Sequence, residues 1–374
     1  ELMKQFKVVP TIQEFETCKD FADTYGIGKG DLVFVSNGTK NRLFPELDNS
    51  GAIVVNYRNY GSGEPTDLMV EGICKDLEGK TYNRVFSIGG GTILDVAKLF
   101  ALKTVSPVVK LFNKELEIVK DKELILVPTT CGTGSEVTNI SILELTAINS
   151  KFGLAVDELY PDKAILIPEL LAGLPMKYFA TSSIDALIHS IESFTSPKGN
   201  DFTRMFSLNA MDMILKGYQE IAKNGEEARK PILRQFMLAS TYAGIAFGNA
   251  GCAAVHAMSY PLGAKYHVPH GEANYAIFTE VYKTYMKLQP VGIINKLNTH
   301  LAGILDCGED EVYTEIEKLL NHIIPKKALH EYGMTQEDIA DFTETVMTKQ
   351  TRLMNNNYTE LTAETVTEIY KSLF

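Results

Sequence analysis

Five short β-branched runs, Leu32–Ser36, Ala52–Asn56, Arg84–Ile88, Leu124–Pro128 and Ala164–Ile167, alternate with helical patterns such as Asp67–Glu78 and Thr92–Leu102 over the first half of the chain. Alternation of this kind folds as a parallel sheet with helices on its faces, because each return to a parallel strand needs a crossover long enough to be a helix. The stretch Asn139–Val156 interrupts it, and its two halves, Asn139–Leu145 and Phe152–Val156, predict an inserted hairpin. From about Pro175 the β-branched runs stop. Apolar residues recur instead at three- and four-residue spacing in Thr181–Phe194, Phe202–Ala222, Pro231–Phe247, Glu272–Lys287 and Gln336–Leu353, which predicts helices packed on helices. A chain of 374 residues exceeds what one core usually holds. The expected architecture is therefore α/β: an N-terminal parallel-sheet domain over residues 1–175 and an all-helical C-terminal domain over 176–374, with a ligand site expected in a cleft between them.

Charge and cysteine usage narrow the classes of partner. With 36 Lys and Arg against 47 Asp and Glu, the net charge of −11 argues against a surface built to neutralise nucleic acid or anionic lipid. No window approaches the roughly 18 apolar residues of a membrane span. Cys18, Cys74, Cys131, Cys252 and Cys307 are odd in number and form no Cys-x-x-Cys pair, so neither a disulfide framework nor a thiolate zinc site is expected. The first residues are too polar for a signal peptide. These features predict a cytoplasmic protein with a small-molecule partner; assembly into a homo-oligomer is left open.

Two turns carry the first chemical signal. Ser87–Lys98 reads SIGGGTILDVAK: a strand, three glycines (Gly89, Gly90, Gly91), then a helix opening at Thr92. Glycines admit close backbone approach, and free N–H groups at a helix start favour an anion such as a pyrophosphate. Thr92 and Asp95 have capping-box-like spacing. The plain alternative is a tight strand-to-helix turn. Pro128–Thr138, PTTCGTGSEVT, again follows a strand and is dense in small hydroxyl residues able to bond phosphate, ribose or carboxamide. Two such turns on neighbouring strands favour a nucleotide site over either alone.

The helical half carries the second signal. Asp185 and His189 are four apart, on one face of a helix that is otherwise largely apolar, and need partners there. A metal would supply them, and so would a plain Asp–His hydrogen bond. Three of the seven histidines, His256, His267 and His270, then fall close together. Imidazoles with a carboxylate suit a divalent ion such as Fe²⁺ or Zn²⁺, and these histidines offer more ligands than are required. His300, His322 and His330 are isolated and read as surface or structural.

Taken in order, GGGTILDVAK, PTTCGTGSEVT, Asp185…His189 and His256…His270 resemble the iron-containing (group III) alcohol dehydrogenase family over nearly the whole chain. The resemblance implies metal ligation by Asp185, His189, His256 and His270, and an NAD site. In that site Gly89, Gly90, Gly91 and Thr92, with Asp95 behind them, would form the pyrophosphate turn. Thr129, Thr130 and Ser135 would line the nicotinamide side, and Lys151 would reach the ribose. Two positions depart from the family pattern. Tyr260 stands where many members carry a proton-relay histidine, and a phenol with an ordinary pKa near 10 is the poorer base. Asn37 stands where NAD-preferring members often have an aspartate, leaving no charge there to repel a 2′-phosphate.

VHAMSYPLGAKYHVPHGEANY is similar to the branch of the family that interconverts 4-hydroxybutyrate and succinate semialdehyde. A carboxylated alcohol or aldehyde would need a cation or several donors near the metal, and Lys265 and His267 are candidates by position between the ligands. Competing readings are a dehydrogenase for a diol or simple primary alcohol, a lyase or cyclase like the dehydroquinate synthases, and a non-catalytic binder.

Overall fold

The computed structural model describes residues 3–148 and 150–374. The chain separates into two compact units, Val8–Leu174 and Pro175–Phe374, the second taking in residues 3–7.

In the first unit, strands β1 (Thr11–Glu14), β2 (Asp31–Val35), β3 (Ile53–Val55), β4 (Arg84–Gly89), β5 (Glu123–Pro128) and β8 (Lys163–Leu166) form one sheet in the order β1-β8-β5-β4-β2-β3, every neighbouring pair parallel. Each of the five predicted strands is present. The sixth, β1, was not expected. Its TIQE sequence is short and mostly exposed, and an edge strand needs only the one ladder it makes with β8, Ile12 opposite Ala164.

Helices α1 (Cys18–Tyr25), α2 (Asn37–Leu43), α3 (Asp67–Asp76), α4 (Gly91–Leu99) and α5 (Val108–Phe112) complete the layers. The sheet is buried on both faces, which is why its strands read as continuous apolar runs. Leu32, Phe34, Leu124 and Leu126 join one core with residues of α3, α4 and α5. Val33, Val35, Ile125 and Val127 join the other with Cys18 and Phe21 of α1. The predicted hairpin is antiparallel β6 (Ile140–Leu145) and β7 (Ser150–Ala155), paired Ile140 to Ala155 through Leu145 to Ser150, with Leu143, Leu145 and Leu154 buried in the first core.

The second unit is helical: α6 (Met176–Thr195), α7 (Asp201–Asn224), α8 (Leu233–Ala250), α9 (Ala254–Tyr266), α10 (His270–Leu288), α11 (Ile293–Leu305), α12 (Val312–Leu320), α13 (Gln336–Lys349), α14 (Thr351–Met354) and α15 (Ala363–Leu373). Helix α6 is sheathed by α7, α8 and α10 and is buried almost all round from Phe179 to Thr195, so its polar residues sit in the interior. Helix α9 did not announce itself in the sequence. It is buried on most sides, which erases the amphipathic stripe, and it contains Pro261, which withholds one backbone donor. Among the described residues all five cysteines are free, and no helix is long and apolar enough to cross a membrane.

Candidate active site

The strand register aligns the C-terminal ends of β2, β4 and β5: Val35 is opposite Ile88, and Gly89 opposite Pro128. After β2 the sheet grows outward to β3, and from β4 it grows the other way. In open parallel sheets that reversal is where ligands bind. Ser36 caps α2, its Oγ accepting from the Thr39 N–H at 3.3 Å, and Asn37 opens the helix exposed.

The three glycines have different neighbours. A Cβ on Gly89 would meet Ile93 at 2.9 Å, and one on Gly91 would stand 2.2 Å from Thr133 Oγ1. Gly90 is the N-cap of α4 with no side-chain cap, and a Cβ there would meet only the Thr130 methyl at 3.6 Å. Gly91 therefore lets the second turn dock on the first, and Gly90 is the one bordering open space. The turns are also joined through the Thr129 N–H, which donates to the Gly89 carbonyl at 3.0 Å. Thr92, Thr129 and Thr130 are half-buried at this end of the strands.

Asp95 and Ser135 are engaged with each other. Ser135 Oγ donates to Asp95 Oδ1 at 2.6 Å, and the other Asp95 oxygen accepts from the Ile142 N–H at 3.2 Å. Asp95 thus makes no capping box with Thr92; it pins α4 to the second turn and to the hairpin. Lys98, fully buried, reaches Asp95 at 3.4 Å, Thr138 Oγ1 at 3.1 Å and the Ile140 carbonyl at 2.8 Å. Burial pushes the Asp95 carboxyl up and the Lys98 amine down, each being the other's main compensation. Lys151 lies on β7, 3.4 Å from Glu64.

In the helical unit, Asp185, His189, His256 and His270 come together, one ligand atom of each lying within 4.8 Å of the others. Asp185 and His189 are one turn apart on α6, His256 is in the first turn of α9, and His270 opens α10. Asp185 Oδ1 is 3.5 Å from His189 Nε2, 3.4 Å from His256 Nε2 and 3.4 Å from His270 Nε2. Donors about 2.1 Å from a tetrahedral ion stand roughly 3.4 Å apart, so three imidazoles and a carboxylate with this spacing fit a divalent ion. Burial would raise the Asp185 pKa, but His189, His270 and His256 together hold it well below the usual carboxylate range.

The polar groups around these four orient them, and the sequence reading had not found them. Glu192 Oε1 lies 2.5 Å from His256 Nδ1, and its Oε2 accepts from the Val255 N–H at 3.0 Å. This contact places the imidazole proton on Nδ1 and turns Nε2 toward Asp185. Asn274 Nδ2 donates to Asp185 Oδ1 at 2.9 Å, while Ser259 Oγ donates to Asn274 Oδ1 at 2.5 Å and so orients the amide. Both were within reach of helix spacing: Glu192 is seven residues after Asp185, and Asn274 four after His270. Cys252 joins Glu192 and His256 in a second close group, but burial pushes its thiol up, which keeps it a poor ligand.

Tyr260 stacks on His270, ring centroids 5.9 Å apart, and burial raises its pKa. The other two candidates from this segment are elsewhere. Lys265 is exposed and ion-paired with Asp338 at 2.5 Å, so its charge is already matched. His267 is the exposed, left-handed C-cap of α9 (φ 56°), and no hydrogen bond or ring contact among the described residues joins it to the ligand group. In this position it closes one helix so that the chain can turn into the next.

Comparison with known proteins assigns the chain. The model of the iron-containing alcohol dehydrogenases matches residues 13–168, and that of the C-terminal part of the Fe-containing alcohol dehydrogenase family matches 179–374. The chain belongs to the iron-containing alcohol dehydrogenase family and is an oxidoreductase. It is 47% identical over 372 residues to the 4-hydroxybutyrate dehydrogenase of Clostridium kluyveri, covering 100% of both chains. It is 31% identical to the sulfoacetaldehyde reductase of Bilophila wadsworthia over 76% of this chain and 75% of that one. Its fold matches the crystal structure of sulfoacetaldehyde reductase from Bifidobacterium kashiwanohense in complex with NAD+, with a TM-score of 0.85 at 24% identity over 100% of this chain and 99% of that chain.

Proposed function

We propose that this chain is a metal-dependent, NAD(H)-linked dehydrogenase that interconverts 4-hydroxybutyrate and succinate semialdehyde by hydride transfer. The full-length 47% identity to the Clostridium kluyveri enzyme carries this reading. The nucleotide role falls to Val8–Leu174 and the metal role to the helical unit.

Asp185, His189, His256 and His270 would hold the ion, with Fe²⁺ the family's metal and Zn²⁺ suited to the same donors. A divalent ion there supplies Lewis acidity toward the alcohol or carbonyl oxygen, and NAD supplies the hydride acceptor. The chain's own residues do the rest. Glu192 keeps His256 in one tautomer, and Asn274 steadies Asp185. Tyr260, kept protonated by burial, acts as a proton donor in aldehyde reduction. The uncapped start of α4 at Gly90 receives the pyrophosphate, with Gly89, Gly91 and Thr92 shaping the turn. Thr129 and Thr130 face the nicotinamide side, Asn37 and Lys151 serve the ribose, and Asp95 and Ser135 act by holding the two turns together. The free cysteines accord with a cytoplasmic setting.

The test is NADH consumption with succinate semialdehyde by metal-stripped protein reloaded anaerobically with Fe²⁺ or Zn²⁺, with NADPH and butanal run alongside. Metal-dependent turnover that favours the carboxylated aldehyde is the expected result. Equal rates with butanal would leave a general alcohol dehydrogenase, and no turnover under any condition would overturn the proposal.

A further inference from the structure

Gly271 follows the ligand His270 in the first turn of α10 and lies within the helix, with no left-handed backbone that would call for glycine. Glycine is a poor helix former, so its place in this buried turn needs another reason. The reason is space. A Cβ on Gly271 would overlap the Thr181 carbonyl of α6, standing 2.7 Å from its carbon and closer still to its oxygen. Helix geometry pairs that carbonyl with the N–H four residues on, which belongs to the ligand Asp185. A side chain could swing aside from an added methyl. A carbonyl inside a buried helix cannot, so the α10 backbone would have to back away from α6.

The other three ligands are located in other ways. Asp185 and His189 share α6, so the helix sets their spacing. His256 is held at Nδ1 by Glu192, itself on α6. The side chains of Asp185, His189 and His256 are 3%, 6% and 3% exposed, against 35% for His270. With a third of its surface open, His270 is fixed less by what surrounds it than by where its backbone stands. The N-cap of α10, Pro269, supplies no side-chain cap. One turn on, Asn274 also ties α10 to α6 by donating to Asp185 Oδ1 at 2.9 Å, but the seat on Thr181 is the attachment beside His270.

We propose that Gly271 is a positioning residue for the metal centre. By seating the start of α10 on the Thr181 carbonyl, it sets His270 Nε2 at 3.4 Å from Asp185 Oδ1 and so closes the four-donor group. It acts through His270, and the proposal rests on the assignment of the four ligands given above.

The experiment titrates stripped wild type, Gly271→Ala, His270→Ala and the double variant with Zn²⁺ against a competing chelator, with thermal denaturation of each metal-free protein. G271A should bind Zn²⁺ roughly 10- to 100-fold more weakly, the loss that follows when a group that orients a metal ligand is removed. In the H270A background the same substitution should change affinity by less than about two-fold, because the ligand it positions is gone. A G271A protein with wild-type affinity would overturn the proposal whatever its Tm, since a merely structural glycine moves only the stability of the metal-free protein. An equal loss in the H270A background would also overturn it, because the disturbance would then belong to α6 as a whole. Pro269→Gly, which keeps the seat and frees the chain entering α10, decides the matter if G271A does not fold. Its Zn²⁺ affinity should stay within about three-fold of wild type, because the substitution acts mainly on the unfolded chain. A loss as large as that of H270A would show that the incoming chain locates His270, and would overturn the proposal. A wild type that binds no Zn²⁺, or an H270A protein that binds it as tightly as wild type, would remove the ligand assignment, and this proposal with it.

Discussion

Glu192 and His256 meet at 2.5 Å between Oε1 and Nδ1, both fully or almost fully buried, on two helices whose ligand residues converge. An acceptor at Nδ1 keeps the proton there and leaves Nε2 as a lone pair. Glu192→Gln offers an amide that can donate to Nδ1 instead, which would send the proton to Nε2 and block it as a ligand. Metal affinity should fall roughly 10- to 100-fold. Titration of the stripped protein with Fe²⁺ or Zn²⁺ against a competing chelator measures this, and an unchanged affinity would show that Glu192 does not set the tautomer.

Gly90 and Gly91 are adjacent, and their substitutions should fail in different ways. Gly91→Ala drives a methyl to 2.2 Å from Thr133 Oγ1, so the two turns must part, at a cost of about 1–3 kcal/mol. Gly90→Ala meets nothing nearer than 3.6 Å and should leave Tm almost unchanged. It does place a methyl at the start of α4, and the NADH Kd should rise several-fold. Thermal denaturation beside cofactor titration separates the two effects. Equal loss of Tm in both variants would contradict the distinction drawn between these glycines.

Asp338 caps α13 through the Thr335 N–H at 2.9 Å and binds Lys265 and the Tyr266 hydroxyl at the end of α9. Burial alone would push its carboxyl up. Lys265, Tyr266 and Thr335 outweigh burial and hold it down to about 2. A folded pKa below the unfolded value contributes stability above about pH 4 that is lost as pH falls toward 2. Because Lys265 is exposed, solvent screening reduces that contribution to the order of 1 kcal/mol. Urea midpoints of metal-free wild type and Asp338→Asn should differ most at pH 7, and the gap should shrink below about pH 4 and close as the pH falls toward 2. A gap that does not shrink would rule out this origin.

The local chemistry was legible in the chain wherever a residue's role depends on near neighbours in sequence. The strands β2, β4 and β5 show as unbroken apolar runs because both sheet faces are covered. The Asp185–His189 pair shows because one helical turn aligns the two side chains. The hairpin shows because its alternation and its position after β5 are local facts. What escaped depends on environment. Edge strand β1 is defined by a partner, β8, that lies about 150 residues away, and α9 loses its amphipathic signature because it is buried on most sides.

At the site itself, the sequence determined which residue types were present: a glycine turn, a hydroxyl-rich turn, an acidic residue and several histidines. Only the tertiary structure decided their roles. It chose among the three clustered histidines, turning His256 and His270 toward Asp185 and using His267 to close a helix. It set Asp95 and Ser135 to bonding each other and matched Lys265 with Asp338. The physical reason is common to these cases. A buried polar group must find its partner, and which group stands within 3 Å of it is a property of packing between distant segments that no spacing along the chain can encode.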